Sequence, residues 1–286
     1  MKNCATKTLL SIAGSDNSAG AGIQADIKTC QSLKAYCLTC LTVVTSQNSK
    51  KVHKVIKLPN NFLESQIKTV IYEYPIDCVK IGLLKNINQA RIILKLFKTK
   101  KIPIVVDPIY QSTTREVFNT IKTYRDIYRL IAKLNPIFTP NLDEAKILLN
   151  KKNSNKLKPE ILVNDFLNLY QSNVVITNAG LSDKTCEDYF FDEERNVKKF
   201  RVKKIKSNNT HGSGCTFSTS LAIHLSKGFS LSKSIKLSKD FTYLSWSFIP
   251  VIDLFFIQFF IIILHSGGVF LFIYIFLVTV IIHYVY

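Results

Sequence analysis

The sequence predicts an α/β protein built on a doubly wound, mostly parallel sheet. Three observations carry that expectation. Short apolar runs recur along the chain, stretches of helical spacing lie between them, and the 286 residues are 47% hydrophobic against 20% charged. Alternating strands and helices are what a parallel sheet requires, because each strand must be reached through a crossover. The length suits one large domain or two small ones with a sizeable core, and the composition opposes disorder.

The run 8–13 is apolar and closes at Gly14, as a buried strand does. Small and polar residues over 14–22 form a loop, and 23–33 has helical spacing. A second strand is expected over 36–45 and an amphipathic helix over 60–72. Further short strands are expected over 78–81, 102–106, 137–139 and 174–177, with helices over 89–97, 143–149 and 160–170 between them. In such sheets ligands bind beyond the carboxyl ends of the strands, so chemistry is sought there. No internal repeat is present.

The formal net charge is +18. A positive field steers phosphate ligands. A nucleic-acid binder would gather its Lys and Arg on one face beside groove-reading motifs. The lysines here are scattered and no such motif accompanies them, so no nucleic-acid partner is expected. A coding bias toward Lys, Ile, Asn, Phe and Tyr is the plainer reading of the charge, beside a steering field. Of the seven cysteines, Cys37 and Cys40 have CxxC spacing. They sit in a β-like run, and no second pair completes a zinc site, so buried strand thiols are expected. Nothing suggests a disulfide framework or a signal peptide, and the expected location is cytoplasmic.

Composition breaks sharply after Asp240, beyond which the only charged side chain is Asp253. A folded domain is expected over 1–248 and a separate hydrophobic segment over 249–286. Its apolar runs, 254–264 and 269–282, are each shorter than a full membrane span. Three readings compete for it: a membrane anchor, which would make the protein membrane-associated; the product of an altered reading frame; and a helix packed on the domain.

The most informative stretch is Asn209-Thr210-His211-Gly212-Ser213-Gly214-Cys215-Thr216-Phe217-Ser218, followed by a helical pattern through Leu225. A Gly-rich turn before a helix presents unpaired N–H groups and the positive end of the helix dipole. That arrangement binds the charge that develops on a transferred phosphoryl group. Cys215 would sit in the first helical turn, where a lowered thiol pKa is expected. The plainer alternative is a Gly-containing helix start with an incidental cysteine.

Other motifs accompany it in order. They are Ala13-Gly14-Ser15-Asp16 with 19–26, Thr45-Ser46-Gln47-Asn48, Lys80-Ile81-Gly82-Leu83-Leu84, Val106-Asp107-Pro108, and Thr139-Pro140-Asn141-Leu142-Asp143-Glu144-Ala145. Taken together, the chain from about residue 8 to about 248 resembles hydroxymethylpyrimidine and phosphomethylpyrimidine kinases of the ribokinase-like superfamily. The resemblance implies ATP-dependent phosphorylation of a pyrimidine alcohol and then of its monophosphate, in thiamine biosynthesis, with Mg2+ and a homodimer. It implies that the pyrimidine lies near Gly14, Ala21, Gln47, Leu83 and Ile109. Gly212, Ser213, Gly214 and Cys215 would form the anion hole. Asn141, Glu144 and Thr177 would face ATP, and Asp107 and Glu144 the metal. Each has a bland reading: Asp16 as a helix cap, Asp107-Pro108 as a strand-end turn, Asn141 and Glu144 as a capping pair, Gln47 as a satisfied amide.

The chain departs from the family pattern in three places. Thr177-Asn178-Ala179-Gly180 stands where the family usually has Lys-Gly-Gly-His. The stretch 109–116 lacks the glycines of the family's Ser/Gly-rich lid, and Ala19 replaces a glycine in the first loop. Pyridoxal kinase is the alternative enzyme. A pyrimidine- or nucleotide-binding protein without turnover and a membrane-tethered scaffold are the alternatives outside catalysis.

Overall fold

A computed structural model of the chain describes residues 6–151, 158–181, 185–192, 194–204 and 211–247. The hydrophobic segment 249–286, with the three readings of it, and Asn209 and Thr210 lie outside the described residues.

The first half runs β1 (Thr8–Asp16), α1 (Gly22–Ser32), β2 (Tyr36–Gln47), β3 (Val52–Lys57), α2 (Asn60–Glu73), β4 (Cys78–Ile81), α3 (Ile87–Phe97) and β5 (Ile104–Val106). The second half runs α4 (Ile121–Ala132), β6 (Ile137–Phe138), α5 (Leu142–Leu148), α6 (Pro159–Tyr170), β7 (Asn173–Leu181), β8 (Thr185–Phe191), β9 (Val197–Lys203), α7 (Ser213–Ser226) and α8 (Leu231–Ser247). The strands form one nine-stranded sheet of order β3-β2-β1-β4-β5-β6-β7-β8-β9. The six strands from β2 to β7 pair in parallel, while β3, β8 and β9 extend the edges in antiparallel fashion.

Both faces of the sheet are covered, as its parallel part requires. Side chains alternate across β1, so Leu10 and Ile12 enter one core with α2 to α6 while Leu9 enters the other with α1, α7 and α8. The first core is stacked with aromatic rings. Tyr124 and Tyr128 of α4 meet edge-on at 5.0 Å, and Phe138 contacts Tyr128, Phe166 and Tyr170 in turn.

The expected strands and helices are present with shifted ends. β1 does not stop at Gly14 but runs on through Ser15 and Asp16, paired with Val44 and Thr45 of β2. β7 is longer than 174–177 because β8 folds back on it. Cys37 and Cys40 lie on β2, Cys40 fully buried. Being three residues apart on a strand, they point to opposite faces.

Candidate active site

A cleft of about 450 Å³ opens at the carboxyl ends of the central strands. Every residue singled out from the sequence lines it, although they come from distant parts of the chain. Gly14, Ala21, Gln47, Leu83 and Ile109 stand toward one end, and Asn141, Glu144 and Thr177 toward the other. Asp107 and the 212–215 turn lie with them in the same cleft.

The acceptor end is walled by apolar side chains. Val43, Leu83 and Phe118 form a small cluster on which Ile109 packs. A Cβ at Gly14 would lie 2.8 Å from Val43 Cγ2, so only glycine leaves the floor open. Gln47 closes β2, where its N–H donates to Asn17 Oδ1 at 2.7 Å and its side chain hydrogen-bonds Asp16.

Asp16 organises the first loop. Its carboxylate accepts from the N–H groups of Ser18, Gly20 and Ala21 and from the Ser18 hydroxyl, at 2.7–3.1 Å. The same carboxylate meets His211 Nε2 at 2.9 Å, and His211 Nδ1 meets Thr113 Oγ1 at 3.0 Å. Burial opposes its charge, but the hydrogen bonds from His211 and Ser18 outweigh that and hold its carboxyl well below the usual range. Asp16 is thus an interloop anchor rather than a simple helix cap. Neither it nor His211 was singled out as a site residue from the sequence. Both stood inside the motifs, and what showed no signal was their meeting across 195 positions.

Helix α7 follows its N-cap Gly212, which has φ 89 and offers no side-chain cap. A Cβ on Gly212 would fall 1.9 Å from the Gly20 carbonyl oxygen, so the close crossing of these two loops requires glycine. The uncapped N–H groups of the first turn are left for a ligand. Gly214 faces Asp107: a Cβ there would lie 3.7 Å from Asp107 Oδ2.

The expectation for Cys215 is overturned. It does sit in the first turn, but only 4% exposed, and burial pushes its thiol up to about 12. Lys80 and a Gly22 N–H pull the other way and lose. Desolvation of a thiolate outweighs the helix terminus here, so Cys215 is a thiol at neutral pH.

Beneath the turn lies a fully buried ion pair. Lys80 Nζ is 3.0 Å from both oxygens of Asp26, which also accept from Ser11 and Thr219 at 2.5 and 2.7 Å. Burial lowers the lysine pKa, yet Asp26, with Cys215 and Asp107 farther off, raises it further still, so Lys80 keeps its charge.

At the other end, Asn141 and Glu144 form the capping box of α5. Asn141 Oδ1 accepts from Glu144 N at 2.9 Å, and Glu144 Oε2 accepts from Asn141 N at 3.0 Å. Glu144 Oε1 accepts from Tyr110 N at 3.2 Å, tying the lid's root to α5. The structural reading of this pair is therefore realised, and the functional one must coexist with it. Burial, then the Asp107 charge, push Glu144 up to about 8; burial also raises Asp107. No cluster of three metal-ligating side chains occurs among the described residues. The buried Glu144 carboxylate, its pKa raised by burial and by the Asp107 charge, nevertheless fits a divalent cation held mainly by nucleotide phosphates, since Mg2+ needs only one or two protein carboxylates there.

The stretch after Asp107-Pro108 is a small hairpin closed by an antiparallel bridge between Gln111 and Val117. Its turn is made by Arg115 N donating to Ser112 O at 2.9 Å, and Arg115 takes φ 66. Ala19 and Asn178, in the other two departures from the family pattern, take φ 61 and 53. The glycine-type backbone persists without glycine, so Ala19 is a strained substitution and not the minor change it looks like in sequence.

The family described as phosphomethylpyrimidine kinase matches residues 16–247. The chain is 34% identical over 241 residues to a probable thiamine biosynthetic bifunctional enzyme, chloroplastic, of Oryza sativa, with 82% of this chain and 43% of that protein covered. The hydroxymethylpyrimidine/phosphomethylpyrimidine kinase of Aquifex aeolicus is 30% identical over 233 residues, covering 81% of this chain and 91% of that one. The chain thus spans less than half of the plant relative and nearly all of the bacterial one. Among solved structures, an ADP complex of Bacillus subtilis pyridoxal kinase superposes with TM-score 0.72 at 30% identity, covering 83% of this chain and 90% of that one. Phosphomethylpyrimidine kinase of Clostridium difficile 630 gives 0.70 at 26%, covering 84% and 99%.

Proposed function

The chain belongs to the phosphomethylpyrimidine kinase family, and on that premise we propose that it transfers the γ-phosphoryl group of ATP to 4-amino-5-hydroxymethyl-2-methylpyrimidine and then to the resulting monophosphate. The observation that carries this reading is one cleft that combines an apolar acceptor floor, an uncapped helix start and a buried carboxylate pair.

The acceptor ring lies over Gly14 and between Leu83 and Ile109, with Gln47 at its polar edge. The first-turn N–H groups of α7 take up the charge that develops on the transferred group. Asn141 and Thr177 face the nucleotide. Glu144 would hold a Mg2+ ion together with the phosphates, and the ion would supply charge neutralisation there, which leaves Asp107 free of it. In the first transfer the hydroxyl oxygen bonds to the γ-phosphorus, the bond to the β–γ bridging oxygen breaks, and ADP leaves. The hydroxyl proton goes to Asp107, because a thiol pushed up to about 12 is already protonated. Asp107 has the raised pKa that suits a base and lies beside Gly214. The homodimer rests on the resemblance alone, and the cytoplasmic location on the cysteine usage of the sequence. No helix among the described residues is long and apolar enough to cross a membrane.

A coupled ADP-release assay with the pyrimidine and with pyridoxal tests the substrate. Phosphorylation of pyridoxal without any of the pyrimidine would reverse the assignment, and ATP binding with neither would leave a binding protein. Asp107→Asn should lower the first transfer at least tenfold more than the second, since a phosphate dianion attacks without losing a proton. Equal losses would remove Asp107 as the base.

A further inference from the structure

The cleft wall is acidic. Asp16, Asp107, Asp143 and Glu144 all line it, and Arg115 is the one Lys or Arg that does so among the described residues. Yet the proposed second transfer brings a phosphate-bearing acceptor up to the phosphates of ATP. Like charges that close repel strongly in a site with limited water. A cation is needed at the acceptor side, and among the described residues Arg115 is the one Lys or Arg that the walls of the cleft provide.

Arg115 is placed for that task. It sits at the turn of the hairpin over the cleft, in an exposed position, and its side chain has no hydrogen-bond or ion-pair partner among the described residues. Its backbone is left-handed at φ 66, a conformation that disfavours a non-glycine residue. The hairpin is fixed toward the acceptor end at two points. Thr113 meets His211, which is held by Asp16, and the Lys85 ammonium donates to the Phe118 carbonyl, beside the acceptor floor. The hairpin's root is tied to Glu144 through Tyr110 N, but the tie nearest Arg115, at Thr113, lies on the acceptor's side of the cleft.

We propose that Arg115 is a specificity-determining residue that binds the phosphate of the monophosphate acceptor and so enables the second transfer. This rests on the two-transfer reading above. A guanidinium pairs with two phosphate oxygens while leaving the third to attack. In that step an acceptor oxygen bonds to the γ-phosphorus, the bond to the bridging oxygen breaks, and ADP leaves. The alcohol acceptor of the first transfer carries no group for Arg115 to hold.

The test compares Arg115→Gly, which removes the charge and relieves the backbone, with Arg115→Gln, which removes the charge alone, and with Arg115→Lys. For each full-length variant, kcat/KM is measured for the alcohol and for the monophosphate, and calorimetry gives the Kd of the monophosphate. The ratio of second-step to first-step kcat/KM should fall at least tenfold in both the Gly and Gln variants. The Kd of the monophosphate should rise by a similar factor, and the Lys variant should lie between them and wild type. An unchanged ratio, or a rise in KM for ATP at both steps, would overturn the assignment and move Arg115 to the nucleotide or to lid structure. A fall in Gln but not in Gly would trace the effect to the backbone and also overturn it. Failure of the underlying reading looks different: the wild type itself would neither bind nor phosphorylate the monophosphate, and both claims would go together.

Discussion

Gly214 is the position where a single added carbon tests the chemistry most cleanly. Its φ is not in the left-handed region, and a Cβ would meet Asp107 only at ordinary contact distance. Gly214→Ala should therefore fold normally while crowding the gap through which the phosphoryl group passes. Turnover is expected to fall about 100-fold, the scale of losing one oxyanion donor, with ATP affinity far less affected. Parallel losses of turnover and affinity would argue for general disruption, and a thermal melt controls for folding. Glu144 makes a prediction about pH. Its folded pKa of about 8 lies above the value near 4.5 of an unperturbed glutamate, so the folded state holds the proton more tightly. The associated stability is complete below about pH 4.5 and is lost as pH rises toward 8. Urea midpoints of the wild type should fall across that window, and Glu144→Gln should flatten the slope while lowering stability at its acid end. A slope unaltered by the substitution would mean that another group titrates there. The residues that line the cleft were legible in the sequence because each motif is a contiguous word of small, polar or Gly-rich residues at a strand end. The thiol of Cys215 was misjudged because burial is a property of the packed turn, which no local word encodes.

Helix α4 carries the turn that holds Asp107, although it faces the core. Tyr124 is fully buried and its hydroxyl donates to the Pro108 carbonyl. Tyr124→Phe should cost about 1–2 kcal/mol, the cost of leaving a buried carbonyl without its donor, and should also reduce turnover by loosening the Asp107-Pro108 turn. Denaturant unfolding and kcat together check this; a stability loss without a kinetic one would confine Tyr124 to packing. At this scale the parallel strands were readable from their apolar runs. β3, β8 and β9 were not: Val52-His53-Lys54-Val55-Ile56-Lys57 and Val197-Lys198-Lys199-Phe200-Arg201-Val202-Lys203 are short, alternating and rich in charge, and β8 (Thr185–Phe191) mixes acidic and aromatic residues. Such strands are set by the neighbour they pair with and by the need to blunt an open edge. α4 itself has a strongly amphipathic pattern and a Thr120 cap, and a closer count of its periodicity would have found it.

Across the whole molecule, one buried charge pair ties four elements together. Lys80 comes from β4 and Asp26 from α1, while Ser11 of β1 and Thr219 of α7 complete the shell of the carboxylate. Lys80→Met should cost about 3–5 kcal/mol because it strands a carboxylate without its cation, whereas Lys80→Met with Asp26→Leu should recover much of that loss. Urea unfolding of both variants checks it, and a cost below about 1 kcal/mol for the single change would show that the pair is no anchor. The crossing of Gly20 and Gly212 has a consequence for the order of biosynthesis. A ribosome makes the chain from its amino end, so β1 and the first loop emerge early, while the turn that presses on Gly20 follows some 190 residues later. Until then Asp16 lacks His211 and the anion-binding turn does not exist, even if most of the sheet has formed. The last wall of the cleft therefore closes only near the end of translation of the domain, when the turn at 211–215 meets the first loop.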